Sequence, residues 1–205
     1  MLPYNKLSKE RFENYLEYSK MRMENMVDFV REKTNMNPDS MRVVDLGCGE
    51  GYESMILGRY FGKVYGVDKN DDMLDYARGN KRRYDLKLKN VRFYWGLNDN
   101  FLIEKVSLLF LNNSLIFLDK GKDVIEGLFN KLVNGGLMWI KNGKNFHALT
   151  LNPKSANFNE VAYNRQIKII TDCEDIFIKY AEDNGMEILR KISNDKMNEI
   201  IIKKN

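Results

Sequence analysis

The chain has 205 residues, a hydrophobic share of 43% and a net charge of +4, which suits one domain with a sizeable core and permits an anionic partner without requiring one. No apolar run is long enough to span a membrane, and the start Met1-Leu2-Pro3-Tyr4-Asn5-Lys6 lacks the apolar segment of a signal peptide. One histidine and two cysteines exclude a Cys/His zinc framework; Cys48 and Cys173 are read as free thiols, as expected of a cytoplasmic protein with no metal.

The first predicted element is a helix over 8–33, where Phe12, Tyr15, Leu16, Met23, Met26, Val27 and Val30 recur at helical spacing. Asn37-Pro38-Asp39 ends it. A strand over 41–46 runs into a glycine-rich turn, and a helix over 52–60 stops at Gly62. The next strand covers 63–68, followed by a helix over 71–80 with acids in its first turn, where the helix dipole favours them. Strands over 90–95 and 106–111 follow. A helix over 122–133 is closed by Asn134-Gly135-Gly136 and precedes a strand over 137–141. Residues 142–170 read as a long polar stretch, a candidate lid over the substrate. A helix over 172–184 then leads to strands over 186–192 and 198–203. The alternation implies an α/β fold with a mostly parallel sheet and helices on both faces. The link between the last two strands is too short for a parallel crossover, so they are expected to form an antiparallel hairpin.

The most informative residues are Asp45-Leu46-Gly47-Cys48-Gly49-Glu50-Gly51, between the first strand and its helix. Glycines there let backbone approach a ligand closely. A dinucleotide site carries G-x-G-x-x-G and holds a pyrophosphate at the helix N-terminus. Here the third glycine comes one residue early, Tyr52 stands where that fingerprint needs it, and Asp45 would repel a pyrophosphate. The pattern instead resembles the first motif of class I S-adenosylmethionine-dependent methyltransferases. The resemblance covers 41–205, and 1–40 resembles the helical N-terminal cap common in that family. It implies a Rossmann-like seven-stranded, mostly parallel sheet with an antiparallel terminal hairpin. It also implies S-adenosyl-L-methionine as cofactor and methyl transfer to an oxygen or nitrogen of a small molecule.

Carried onto this chain, the resemblance gives Asp45 the methionine ammonium and has Gly47, Cys48, Gly49 and Gly51 wrap the amino-acid end of the cofactor. Asp68 ends the second strand at the distance where a carboxylate meets ribose hydroxyls. Lys69 adjoins it, and Met73 is placed against the ribose or adenine. The family's acid after the third strand is displaced here, leaving Asn98 or Asp99 for the adenine. Asn112 is expected to face the cofactor and Asn113 the substrate. Many relatives carry histidines where this chain has Ile116 and Phe117, so no general base is visible there. His147, beyond the fifth strand, is the remaining catalytic candidate. Phe146, Tyr163 and Arg165 are assigned to the substrate. Tyr15 and Tyr18 are expected to close over the cofactor. The paired Asn-Pro-Pro-Tyr motif of base N-methylation is absent. Lys81-Arg82-Arg83 with Lys87 and Lys89 reads as a solvated helix end, so a nucleic-acid partner is permitted but not favoured. The alternatives are an RNA or protein methyltransferase and a cofactor-binding protein without catalysis.

Overall fold

The computed structural model describes residues 9–83, 88–97, 99–103, 105–115, 118, 121–143, 160–194 and 197–205, without the side chains of 9–12, 162, 163 and 166. The helices are α1 (Lys9–Thr34), α2 (Tyr52–Leu57), α3 (Asp71–Arg83), α4 (Lys122–Lys131) and α5 (Glu160–Asp183). The strands are β1 (Arg42–Leu46), β2 (Lys63–Asp68), β3 (Val91–Trp95), β4 (Val106–Asn112), β5 (Leu132–Gly143), β6 (Glu187–Ser193) and β7 (Met197–Lys203). They form one sheet in the order β3-β2-β1-β4-β5-β7-β6. Neighbours among β1 to β5 run parallel, while β7 pairs antiparallel with β5 and β6.

The order follows from the alternation of apolar residues along the strands. Val43, Val64, Val91, Phe93, Leu108, Phe110, Leu137 and Trp139 face one side and pack with Met23, Met26, Val27 and Val30 of α1, Met55 and Ile56 of α2 and Leu74 of α3. Val44, Leu46, Val67, Leu109, Leu111, Met138 and Ile140 face the other, against Leu128 and Phe129 of α4 and Cys173 and Phe177 of α5. The first helix is therefore built into a core of the main sheet. Its docking is reinforced where Phe29 meets Trp139 edge-on at 5.4 Å, Arg190 lies over Phe29 and the Trp139 indole donates to Glu199 at 3.0 Å.

Several element bounds differ from the sequence expectation; α2 stops at Leu57 and α4 at Lys131, each short of the expected end. The fifth strand begins at Leu132, because the Asn134-Gly135-Gly136 turn is absorbed as a bulge between the Val106↔Leu132 and Leu108↔Leu137 pairs. The helix α5 begins at Glu160, so 160–170 is helical where the sequence reads as loop, and Asn142 and Gly143 belong to β5. The helix α3 runs on to Arg83. No helix of the described residues is long and apolar enough to cross a membrane.

Candidate active site

The carboxyl ends of β1, β2 and β4 open into a cavity of about 600 Å³, within the range of small-ligand sites. Its floor is the glycine loop. Gly47 has φ +78°, and a Cβ there would fall 2.5 Å from Ser114 Cβ; Gly51 has φ +79°, and its Cβ would strike Phe93 and Ala77. Both positions need glycine, for conformation and for space. The loop is tied down from β2. The Gly49 N–H donates to Asp68 Oδ2 at 2.8 Å, the Asn70 N–H to Asp68 Oδ1 at 3.0 Å, and the Gly47 and Cys48 amides to the Val67 carbonyl.

Asp45, 2% exposed, accepts from Ser54 Oγ at 2.6 Å. Burial pushes its pKa up to about 7, the Ser54 bond opposes the rise, and the Glu53 and Asp68 carboxylates add to it. A carboxylate so placed is only half ionised near neutrality, and a cation beside it would restore its charge. Burial, then Asp45 and Asp68, also push the Cys48 thiol up, so it stays protonated and unreactive.

One wall comes from α1. The Tyr15 hydroxyl donates to Glu53, and Arg22 Nη2 reaches both Glu53 oxygens at 2.8 Å. Burial first, and Glu53 second, hold the Tyr15 phenol above its ordinary value, so it remains a donor. The opposite wall is the end of β4. Asn113 sits at φ +57°, a conformation asparagine tolerates. Its Oδ1 accepts from the Gly143 N–H at 2.6 Å and its Nδ2 donates to Asn112 Oδ1 at 3.0 Å, fixing the ends of β4 and β5 together.

Of the residues singled out from sequence, Asp45, Gly47, Cys48, Gly49, Asp68, Lys69, Met73, Asn112 and Asn113 line this cavity, as does Tyr15. Gly51 supports the loop from behind as the residue preceding α2. Asp99 is not among the lining residues: its carboxylate lies where a Gly127 Cβ would be, 2.0 Å away, so it turns to α4 while Gly96 and Leu97 meet the cavity. Arg165 is exposed on α5, and Tyr18 is 83% exposed on the outer side of α1; neither lines it. Lys87, Asn98, Ile116, Phe117, Phe146, His147 and the Tyr163 side chain lie outside the described residues, as does most of the candidate lid. The sequence reading missed Arg22, Glu53, Ser54 and Ser114. Arg22 lies two turns beyond Tyr15, a signal present in the sequence; Ser114 has a buried Oγ with no partner and no local motif to announce it.

The donor set fits a nucleoside carrying a positively charged amino-acid end. It offers a buried acid, backbone on positive-φ glycines, a second acid at the end of β2, and open space over Gly49, where an added Cβ would meet nothing within 4 Å. A family model described as a methyltransferase domain matches residues 37–198. The chain belongs to the class I S-adenosylmethionine-dependent methyltransferases. Solved members share the fold across nearly the whole chain. A methyltransferase from Aquifex aeolicus is 16% identical, with 96% of this chain and 98% of that one covered at a TM-score of 0.59. Geranyl diphosphate C-methyltransferase from Streptomyces coelicolor is 15% identical, with 99% and 87% covered at 0.64. Among curated relatives, trans-aconitate 2-methyltransferase from Variovorax paradoxus is 31% identical over 51% of this chain and 39% of its own length. Protein-L-isoaspartate O-methyltransferase from Pseudomonas paraeruginosa is 30% identical over 50% and 46%. The matched segment thus spans less than half the length of these relatives.

Proposed function

We propose that this methyltransferase transfers a methyl group from S-adenosylmethionine to an oxygen or nitrogen of a small molecule. The observation that carries the reading is the position of α1, whose Tyr15 joins Glu53 in walling the cavity beside the glycine loop. A wall there favours a compact acceptor over a duplex or a folded protein. The matched isoaspartate O-methyltransferases support an oxygen acceptor.

In this reading the cofactor supplies an electrophilic methyl group on a cationic sulfur whose departure as a neutral thioether is favourable. Asp45 holds the ammonium, the glycine loop receives the amino-acid end, Asp68 accepts from the ribose hydroxyls, and Met73 and Leu97 flank the base. Asn112 then faces the cofactor and Asn113 stands on the acceptor side, where its amide orients the nucleophile rather than deprotonates it. Alignment and exclusion of water provide most of the rate. Asp45, Glu53 and Asp68 are already engaged, and Tyr15 and Cys48 keep their protons. These five residues offer no free base, which suits an acceptor that arrives with a free lone pair, such as a carboxylate. His147 is the proposed base for one that does not.

The test is to supply S-adenosylmethionine with a panel of small carboxylates, phenols and amines, alongside RNA and unfolded protein, and to measure S-adenosylhomocysteine by mass spectrometry. Turnover with a small acceptor is expected. Turnover only with RNA or protein overturns the substrate class, and cofactor binding without turnover on any acceptor favours a non-catalytic role.

A further inference from the structure

The second face of the sheet is unevenly covered. Helices α4 and α5 shield β4, β5 and β7, but β3 and β4 are joined across 96–105 without a described helix. That connection sends Phe101 into the core on this face, beside Lys131 at the end of α4. The amino half of β1, β2 and β3 is left with an exposed row on this face. Arg42 of β1 stands in register with Lys63 of β2, and Tyr65 of β2 with Arg92 of β3. All three cations are exposed and both tyrosines, Tyr65 and Tyr94, are half-buried. Lys105, also exposed, immediately precedes β4 at the same end of the sheet.

Two features of this row are unfavourable for the protein alone. Like charges directly opposite one another on neighbouring strands repel, and among the described residues no acid on this face of β1, β2 or β3 separates Arg42 from Lys63. The Tyr65 and Tyr94 rings lie 6.0 Å apart with their planes at 50°, leaving aromatic surface unburied. Fixed cations interleaved with aromatic rings on a sheet are what a single-stranded nucleic acid requires: phosphates pair with the cations, and bases stack on the rings whatever their sequence.

We propose that this face of β1, β2 and β3, from Arg42 and Lys63 at the amino ends through Tyr65 and Arg92 to Tyr94, is a docking surface for single-stranded nucleic acid. Its cations Arg42, Lys63 and Arg92 stand toward the amino ends of their strands, away from the carboxyl ends that open into the cavity, so the bound strand is held, not methylated, and the inference stands apart from the reading of the cavity. The probe is fluorescently labelled oligouridine, read by anisotropy at low salt and then across a salt series. Binding is expected with a log–log salt slope of roughly −2 to −3, as about three or four neutralised phosphates give on a single strand. The double variant Lys63→Glu/Arg92→Glu should lose at least about tenfold in affinity. Its cofactor affinity should be unchanged and its melting temperature unchanged or raised, since the carboxylate introduced on β2 would face Arg42. If that variant does not fold, Lys63→Gln/Arg92→Gln serves, with a shallower salt slope expected. The proposal is overturned by no binding at low salt, by equal binding of the charge variants, by tighter binding of a duplex than of the single strand, or by capture on phosphatidylglycerol vesicles in place of oligouridine.

Discussion

Asp45 lines the cavity at a cost to the fold. Its ordinary carboxyl value of 3.8 is raised to about 7 in the folded chain, chiefly by burial. Between these values the folded state holds a proton that the unfolded state has released, so this group's contribution to stability is full below about pH 4 and is lost as pH rises through about 7. Asp45→Asn should therefore be more stable than the parent at pH 8, by up to roughly 2–4 kcal/mol, and should match the parent at pH 4. A scanning melt at both values decides this, and an equal gain at both would show that the carboxylate carries no such cost. A cationic ligand reverses the balance: in the parent, affinity for S-adenosylmethionine should rise between pH 6 and 8 with uptake of the ligand releasing a proton, and the Asn variant should lose both affinity and pH dependence in calorimetry. Asp68 differs, since it has two backbone amides as partners. Asp68→Ala should cut cofactor affinity by at least about tenfold, as expected for loss of charge-assisted bonds worth roughly 1.5–3 kcal/mol each, while the chain still melts cooperatively. Unchanged affinity in a direct titration would reduce Asp68 to a tie between the loop and β2.

At the scale of elements, the glycine loop, its flanking strand and Asp68 are legible because their chemistry is local in sequence. What is not legible depends on meetings between distant elements. Asp99 reads as a plausible adenine partner until the absence of a side chain at Gly127 admits its carboxylate beside α4. The true start of α5 is hidden because Asn164 and Arg165 read as loop. They are its exposed side, opposite an apolar stripe that continues through Ile170, Cys173, Phe177 and Ala181. The clasp between α1 and α2 is the most consequential of these meetings. Arg22 bonds Glu53 at 2.8 Å with 12% of the Glu53 side chain exposed, in a partly buried setting where removing one partner strands the other. Arg22→Ala should therefore loosen α1 over the cavity. Hydrogen exchange along residues 15–30 should quicken and cofactor affinity should fall severalfold, with Tyr15→Phe giving a smaller loss. Unaltered exchange would show that the apolar contacts of Met23, Met26 and Val30 suffice to hold the helix.

For the whole molecule, the open sheet leaves β3 at one margin, and its free edge is a template on which another strand can pair. Two cations of α3 stand on it. Lys81 Nζ donates to the Val91 carbonyl at 2.6 Å and Arg78 Nη2 to the Phe93 carbonyl at 3.3 Å, and these are the carbonyls that point away from β2, since β2 takes that of Asn90 through the Val64 N–H. Part of the basic cluster read from sequence as a solvated helix end is thus a cover for the sheet edge. The cost of covering is visible at Lys81, whose pKa is lowered by burial and then by the nearby Arg92. Each capped carbonyl contributes on the order of 1 kcal/mol, which is small for the fold but recurs along the edge in every copy able to pair there. The double variant Arg78→Ala/Lys81→Ala should accordingly change the melting temperature little while making the protein self-associate with concentration, seen as a dimer or larger species in sedimentation velocity. The charge-preserving exchange Arg78→Lys/Lys81→Arg should stay monodisperse relative to the alanine variant. If the alanine variant sediments as the parent does at every concentration, the edge is protected by something other than these two side chains.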